Sequence, residues 1–175
     1  MTITLRPGKL ADSDAVAALH NRVWQHAFAT LAPTEALQQL DLASRQAKWH
    51  RLLATPVADQ LVLLAEADGQ LVGMAATGAS DDPAFGRRAE IHSVYVDLSH
   101  QRLGIGERLL RGLALHLRAR GYDAAALDVV EGNDVAARFY QRLGAREIAR
   151  TIDVGPIWKS ANIIFAWDGL APLLD

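Results

Sequence analysis

Two glycines one residue apart, Gly104 and Gly106, close the run Val96-Asp97-Leu98-Ser99-His100-Gln101-Arg102-Leu103-Gly104-Ile105-Gly106. Glycine lets a backbone come close to a bulky group, and the free N–H groups at a helix N-terminus favour phosphate. The spacing therefore suits either a tight turn or a phosphate cradle. It is not a P-loop, because Glu107-Arg108 stands where Lys-Ser/Thr is needed. A dinucleotide fingerprint fits poorly as well. Leu109 holds the place of its third glycine, and seven residues separate Val96 from Gly104. Further groups able to move protons are Glu90 and His92, which share one strand face by alternation, with Asp128 and Glu131 near the end of the next strand. Cysteine is absent, which excludes disulfides, thiolate metal sites and a sulfur nucleophile. The six histidines (His20, His26, His50, His92, His100, His116) show no ligand spacing, so no metal is expected.

The elements that must position these groups follow from periodicity. Ile3 and Leu5 open a strand stopped by Pro7-Gly8. Asp12 or Ser13 then caps a helix with the stripe Val16, Leu19, Val23, Trp24, Ala27 and Phe28. A second helical region runs from Pro33 to about Leu53. Residues 61–65 and 71–76 form a hairpin about Asp68-Gly69, and a loop spans Ala79 to Gly86. A strand over 89–96 leads into the glycine loop. Ile105, Leu109, Leu110, Leu113, Ala114 and Leu117 then make one helical face ended by Gly121. Residues 124–130 read as a strand, Asn133–Leu143 as a helix closed by Gly144, and Ile148–Ile152 and Ile163–Trp167 as final strands. This order implies one mixed α/β sheet with helices on both faces.

With 175 residues the chain is expected to form a single domain, residues 1–175. Its 50% hydrophobic and 22% charged composition excludes a disordered or fibrous protein. Eighteen basic against twenty acidic residues provide no global positive field, so neither nucleic acid nor a membrane surface is an expected partner. The first ten residues lack the apolar run of a signal peptide, and no stretch approaches about 18 apolar residues, so a cytoplasmic location is expected.

Two segments carry a family resemblance. Gln101-Arg102-Leu103-Gly104-Ile105-Gly106 resembles the Q/R-x-x-G-x-G/A signature of the GNAT superfamily of acetyl-CoA-dependent N-acetyltransferases. Asn133-Asp134-Val135-Ala136-Ala137-Arg138-Phe139-Tyr140-Gln141-Arg142-Leu143-Gly144 is similar to that family's N-x-x-A-x-x-F-Y-x-x-L-G motif. Leu98 and Ala145 depart from the proline and phenylalanine common there. The resemblance implies a GNAT-like fold, a mixed and mostly antiparallel sheet of about six or seven strands, with a cofactor-binding core at about 89–150. It implies that backbone from Val94 through Tyr95 to Val96 pairs with the pantetheine arm of acetyl-CoA. N–H groups from Arg102, Leu103, Gly104, Ile105, Gly106 and Glu107, preceded by Gln101, hold the pyrophosphate. Asn133 contacts the arm, and Tyr140 lies by the thioester sulfur.

The chemistry then needs a neutral amine, a polarised carbonyl and a proton for the departing thiolate. Tyr140 can supply that proton, or it packs the last helix on the sheet. Glu90 stands where family members often place a base that works through water, with Asp128 and Glu131 as rivals and a surface carboxylate as the plain reading. Trp24, Phe28 and Trp49 line an acceptor pocket or bury amphipathic helices, the latter for at least two of them. The expected activity is N-acetylation of a primary amine on a small molecule. A peptide N-terminal acetyltransferase and a non-catalytic CoA-binding regulator are the alternatives, and family habit allows a homodimer.

Overall fold

The computed structural model describes residues 2–175. Its strands are β1 (Ile3–Pro7), β2 (Leu61–Ala67), β3 (Gln70–Gly78), β4 (Ala89–Val96), β5 (Ala125–Val130), β6 (Arg146–Asp153) and β7 (Ser160–Trp167). They build one seven-stranded sheet in the order β1-β2-β3-β4-β5-β7-β6. Every neighbouring pair is antiparallel except β4 and β5. The helices are α1 (Ser13–Ala27), α2 (Thr34–Gln39), α3 (Leu42–Ala54), α4 (Ile105–Ala119), α5 (Asp134–Arg142) and α6 (Ala171–Leu174).

Alternation along the strands sends side chains to two separate cores. Leu63, Ala65, Ala75, Ile91, Leu127 and Phe165 meet Leu109, Leu110, Leu113 and Leu117 of α4 on one face. Val62, Leu64, Met74 and Ala76 meet Val16, Leu19 and Val23 of α1 and Trp49 of α3 on the other. Helices thus cover both faces, as the periodicity requires. The β2–β3 hairpin turns on Asp68 and Gly69, both at positive φ (49° and 84°), the pairing that a two-residue primed turn demands.

Three local expectations are corrected. The helical region from Pro33 to Leu53 is two helices, because Asp41 stops the first and its carboxylate caps the second by accepting from Ser44 N–H at 2.9 Å. Neither Asp12 nor Ser13 caps α1 through its side chain. The Asp12 carboxylate is instead held by Arg6 and by the Lys9 N–H, each at 2.8 Å. Finally, the loop before β4 hides a 3₁₀ turn, Pro83–Phe85, whose Phe85 is buried, and a short α6 follows β7.

The second core contains a histidine. His20 is 2% exposed, accepts from Trp49 Nε1 at 2.9 Å through Nδ1, and stacks on Tyr95 with ring centroids 4.4 Å apart. Burial, helped by the charges of Arg45 and Lys48, pushes its pKa down to about 2 from 6.5, so it stays neutral in the fold. The unfolded chain binds a proton there below about pH 6.5 and the folded chain does not, so stability is lost as pH falls through that window. Between pH 6.5 and 5 this group should remove about 2 kcal/mol. His20→Gln, which retains an acceptor for Trp49, should lose that component in urea unfolding at the two pH values.

Candidate active site

β4 and β5 are parallel neighbours for only two residue pairs, Ala89 with Ala125 and Glu90 with Ala126. Beyond them the strands diverge, β4 staying with β3 up to Val96 and β5 staying with β7 up to Val130. A bulge helps the divergence. Thr77 pairs with Ile91 and Ala76 with Ser93, leaving His92 as the extra residue that bends β4. Asp97 N–H donates to Val72 O at 2.8 Å on the β3 side. By alternation Tyr95 shares that direction, and Val94 and Val96 turn their peptide groups to the open side. Those groups need partners from outside the sheet.

The glycine loop lies at the end of this edge. Arg102 and Gly104 both adopt positive φ (63° and 75°), a nest-like backbone that turns successive N–H groups inward. Arg108 N–H, on Gly104 O, makes the first bond of α4, and among the described residues no backbone carbonyl accepts from an N–H of Arg102 to Glu107. Gly104 serves by conformation, since nothing lies within 4 Å of the place a Cβ would take. Gly106 serves by close packing, since a Cβ there would meet Phe139 of α5 at 3.0 Å. Gln101 donates its side-chain amide to Val96 O at 3.2 Å, and Asp97 is held by Arg22 of α1 at 2.7 Å, fastening the loop to both layers. An open strand edge ending in a backbone nest fits an amide-bearing arm with a pyrophosphate at its end.

Asn133 is the N-cap of α5. Its Oδ1 accepts from Ala136 N–H at 3.3 Å, which leaves its NH₂ as a donor. Tyr140, 8% exposed, lies edge-on to Trp167 with centroids 6.1 Å apart. Burial raises its phenol above the ordinary value, with Tyr95 and Asp128 adding to the effect, so the hydroxyl keeps its proton.

The remaining charged groups collect on the α1–α3 side of the gap. Glu90 accepts from Ser80 Oγ at 2.6 Å and faces His92 Nδ1 at 3.2 Å. Burial pushes its carboxyl up, but these two partners outweigh burial and leave it below the usual range. Register places Asp128 one pleat further along the same sheet face, where the strands part. It keeps exposed surface, yet the walls of the gap thin its hydration and raise its pKa. Asn162 opposes that rise by donating to it, and Glu90 adds to it. Glu131 lies outside this group, paired with Arg150 at 2.6 Å on the surface. Burial pushes the Tyr95 phenol up to about 12, eased by Arg45 and reinforced by Asp128.

Of the three aromatic candidates, Trp49 is core, 1% exposed. Trp24 stacks on Phe28 (4.9 Å, 16°), and Phe28 meets Trp158 of the β6–β7 loop edge-on at 6.5 Å. Leu31 packs against Gly132, so the loop after α1 reaches over the gap to the end of β5. Sequence reasoning missed Arg45, Lys48, Trp158 and Asn162. Arg45 carried a readable signal, a charge on the apolar stripe that α3 shares with Trp49 and Leu52. Two shallow depressions about Tyr122 and Asp123 lie at the other end of β5, by its first residues. Among the described residues no helix is long and apolar enough to cross a membrane.

Comparison with known proteins agrees with this geometry. The model of the acetyltransferase (GNAT) family matches residues 18–145. A mycothiol acetyltransferase from Thermomonospora curvata is 40% identical over 81% of this chain, which spans 42% of that protein's length. An L-amino acid N-acyltransferase from Escherichia coli is 29% identical over 87% of this chain and 85% of its own. The crystal structure of the PaiA N-acetyltransferase from Thermoplasma acidophilum, in complex with coenzyme A, superposes with a TM-score of 0.73 at 19% identity. It covers 95% of this chain and 98% of that one. The chain belongs to the acetyltransferase (GNAT) family, the acetyl-CoA-dependent acyltransferases that its two motifs resemble.

Proposed function

We propose that the protein acetylates a primary amine of a small molecule by direct attack, without a covalent enzyme intermediate. The observation that carries this reading is the open edge of β4, set between the N–H nest at Arg102–Glu107 and the carboxylates Glu90 and Asp128. Acetyl-CoA supplies the activated acetyl group. The backbone of Val94 and Val96 and the NH₂ of Asn133 hold its arm, and the nest holds its pyrophosphate. Glu90, kept ionised by His92 and Ser80, draws in the acceptor's ammonium. Asp128, the carboxylate of higher pKa, takes the proton so that a neutral amine faces the carbonyl. Tyr140, kept protonated by burial, donates to the departing sulfur. A small acceptor is favoured over a polypeptide because Leu31, Phe28 and Trp158 roof the approach. The relative named for L-amino acids supports the same size class. Thiol release from acetyl-CoA over a panel of small amines and N-terminal peptides tests the reading, and release with peptides alone overturns it.

Asn133→Asp retains the helix cap and removes the donor. Acetyl-CoA affinity should fall about tenfold by calorimetry with thermal stability held. Asp128→Asn should lower kcat/KM about 100-fold and erase the acidic limb of its pH profile. Glu90→Gln removes a negative neighbour that raises the Asp128 pKa, so its acidic limb should move to lower pH. Tyr140→Phe retains the ring and loses only the hydroxyl. Stopped-flow turnover should show kcat reduced about 10- to 100-fold with acetyl-CoA affinity unchanged.

A further inference from the structure

Arg45 of α3 is 7% exposed, and its Nε and Nη2 are buried with no hydrogen-bond partner. Its guanidinium carbon lies 4.9 Å from the centre of the Trp24 ring, and none of the ion pairs among the described residues includes it. A guanidinium stays charged, and a buried charge with only an aromatic face for company is costly unless an anion completes it. The nest that suits pyrophosphate opens α4 on the opposite face of the sheet, so that anion is not the cofactor's. Arg45 shares its side with Lys48, whose Nζ lies 5.6 Å over Trp49. On β4 and β5, along the sheet face opposite α4, stand Glu90 and Asp128. The acceptor side is therefore polarised, cationic toward α3 and anionic toward β4 and β5. A molecule with an ammonium at one end and a carboxylate at the other matches that polarity.

We infer that Arg45 receives a carboxylate of the acceptor, so that the amine acetylated belongs to an amino acid. The inference rests on the small-molecule reading above and deepens it. A planar, two-oxygen anion is what a guanidinium binds best. With the carboxylate seated on Arg45 and the ammonium near Glu90 and Asp128, the side chain of the acceptor extends along Phe28 and Trp158.

The test pairs L-phenylalanine, L-methionine, β-alanine and 4-aminobutyrate with their primary amides. Each is presented to the protein with coenzyme A for calorimetry and with acetyl-CoA for thiol release. The amides carry the less basic amines, so unaided chemistry favours them at neutral pH. A preference for an acid over its amide therefore reports recognition of the carboxylate. The parent protein should bind and turn over at least one acid about 10- to 100-fold better than its amide. Arg45→Met, which retains the length and apolar contacts of the stem, should abolish that preference, the acid falling to the level of its amide or below. Arg45→Lys should restore part of it. Thermal stability no lower than the parent's and unchanged coenzyme A affinity certify the fold of each variant. Acids acetylated as well by Arg45→Met as by the parent overturn the inference and leave the small-molecule reading standing. Acids bound through Arg45 without thiol release overturn the acetyl-transfer reading and leave the anion site standing. If no acid binds or turns over better than its amide, Arg45 is not an acceptor site.

Discussion

The brevity of the contact between β4 and β5 governs the rest of the molecule. Two parallel pairs hold the halves of the sheet together, and past Glu90 and Ala126 each strand follows a different neighbour. Had pairing continued, the peptide groups of Val94 and Val96 would have found partners in β5 and nothing could enter. Buried backbone groups left without partners are costly, so the gap is sustained by the elements around it. β7 saturates the far edge of β5 along its length, and β3 does the same for β4. Arg88 and Arg146 converge on Asp168, just after β7, and tie together the ends where the strands still touch. The bulge at His92 bends β4 away and points it at the loop that opens α4.

The two sides of that gap use different physics. Toward α4 and α5 the working groups are mostly backbone: the N–H groups from Arg102 to Glu107 and the free edge of β4. Their placement depends on conformation and close approach, which is why Gly104 holds positive φ and Gly106 admits Phe139. Toward α1 and α3 the working groups are side chains, and burial sets their charge. There His20 is held neutral, Glu90 is held ionised by two partners, and Asp128 is raised by thin hydration and by Glu90, while on the other side burial holds Tyr140 of α5 neutral. A protonated phenol, an ionised carboxylate and a carboxyl of raised pKa thus coexist around one opening.

That division explains what the sequence disclosed. A nest made of backbone needs particular residue types at fixed spacing, so Gly104, Gly106 and the Asn133–Gly144 segment were legible without a structure. So were the succession of strands along the chain and the faces of α1 and α4, because their apolar periodicity is set by burial on one side. The break at Asp41 was hidden because Leu37, Leu40, Leu42 and Trp49 continue a plausible helical pattern across it. Ser13 and Asp12 looked equally able to cap α1, and the claims of Arg6 and of the Lys9 N–H on Asp12 decide otherwise. Trp158, Asn162 and Ser80 come from distant loops and strands and join the site only through the β5–β7 pairing and the turn before β4. No local spacing marks them.

The α1–α3 side can therefore vary without cost to the α4 side. Arg45 and Lys48 of α3, Trp24 of α1 and Phe28 just after it belong to the layer on the face of the sheet opposite α4. Asp97, paired with Arg22 of α1, is the point where that layer grips the cofactor loop. Ser99, then Arg22 and His100, hold its carboxyl down to about 2, so the grip persists across the physiological range. A change in the α1–α3 layer that spares Arg22 reshapes what is held over Glu90 and Asp128 and leaves the nest in place. The same frame can then keep one transfer chemistry while its acceptor layer is set residue by residue.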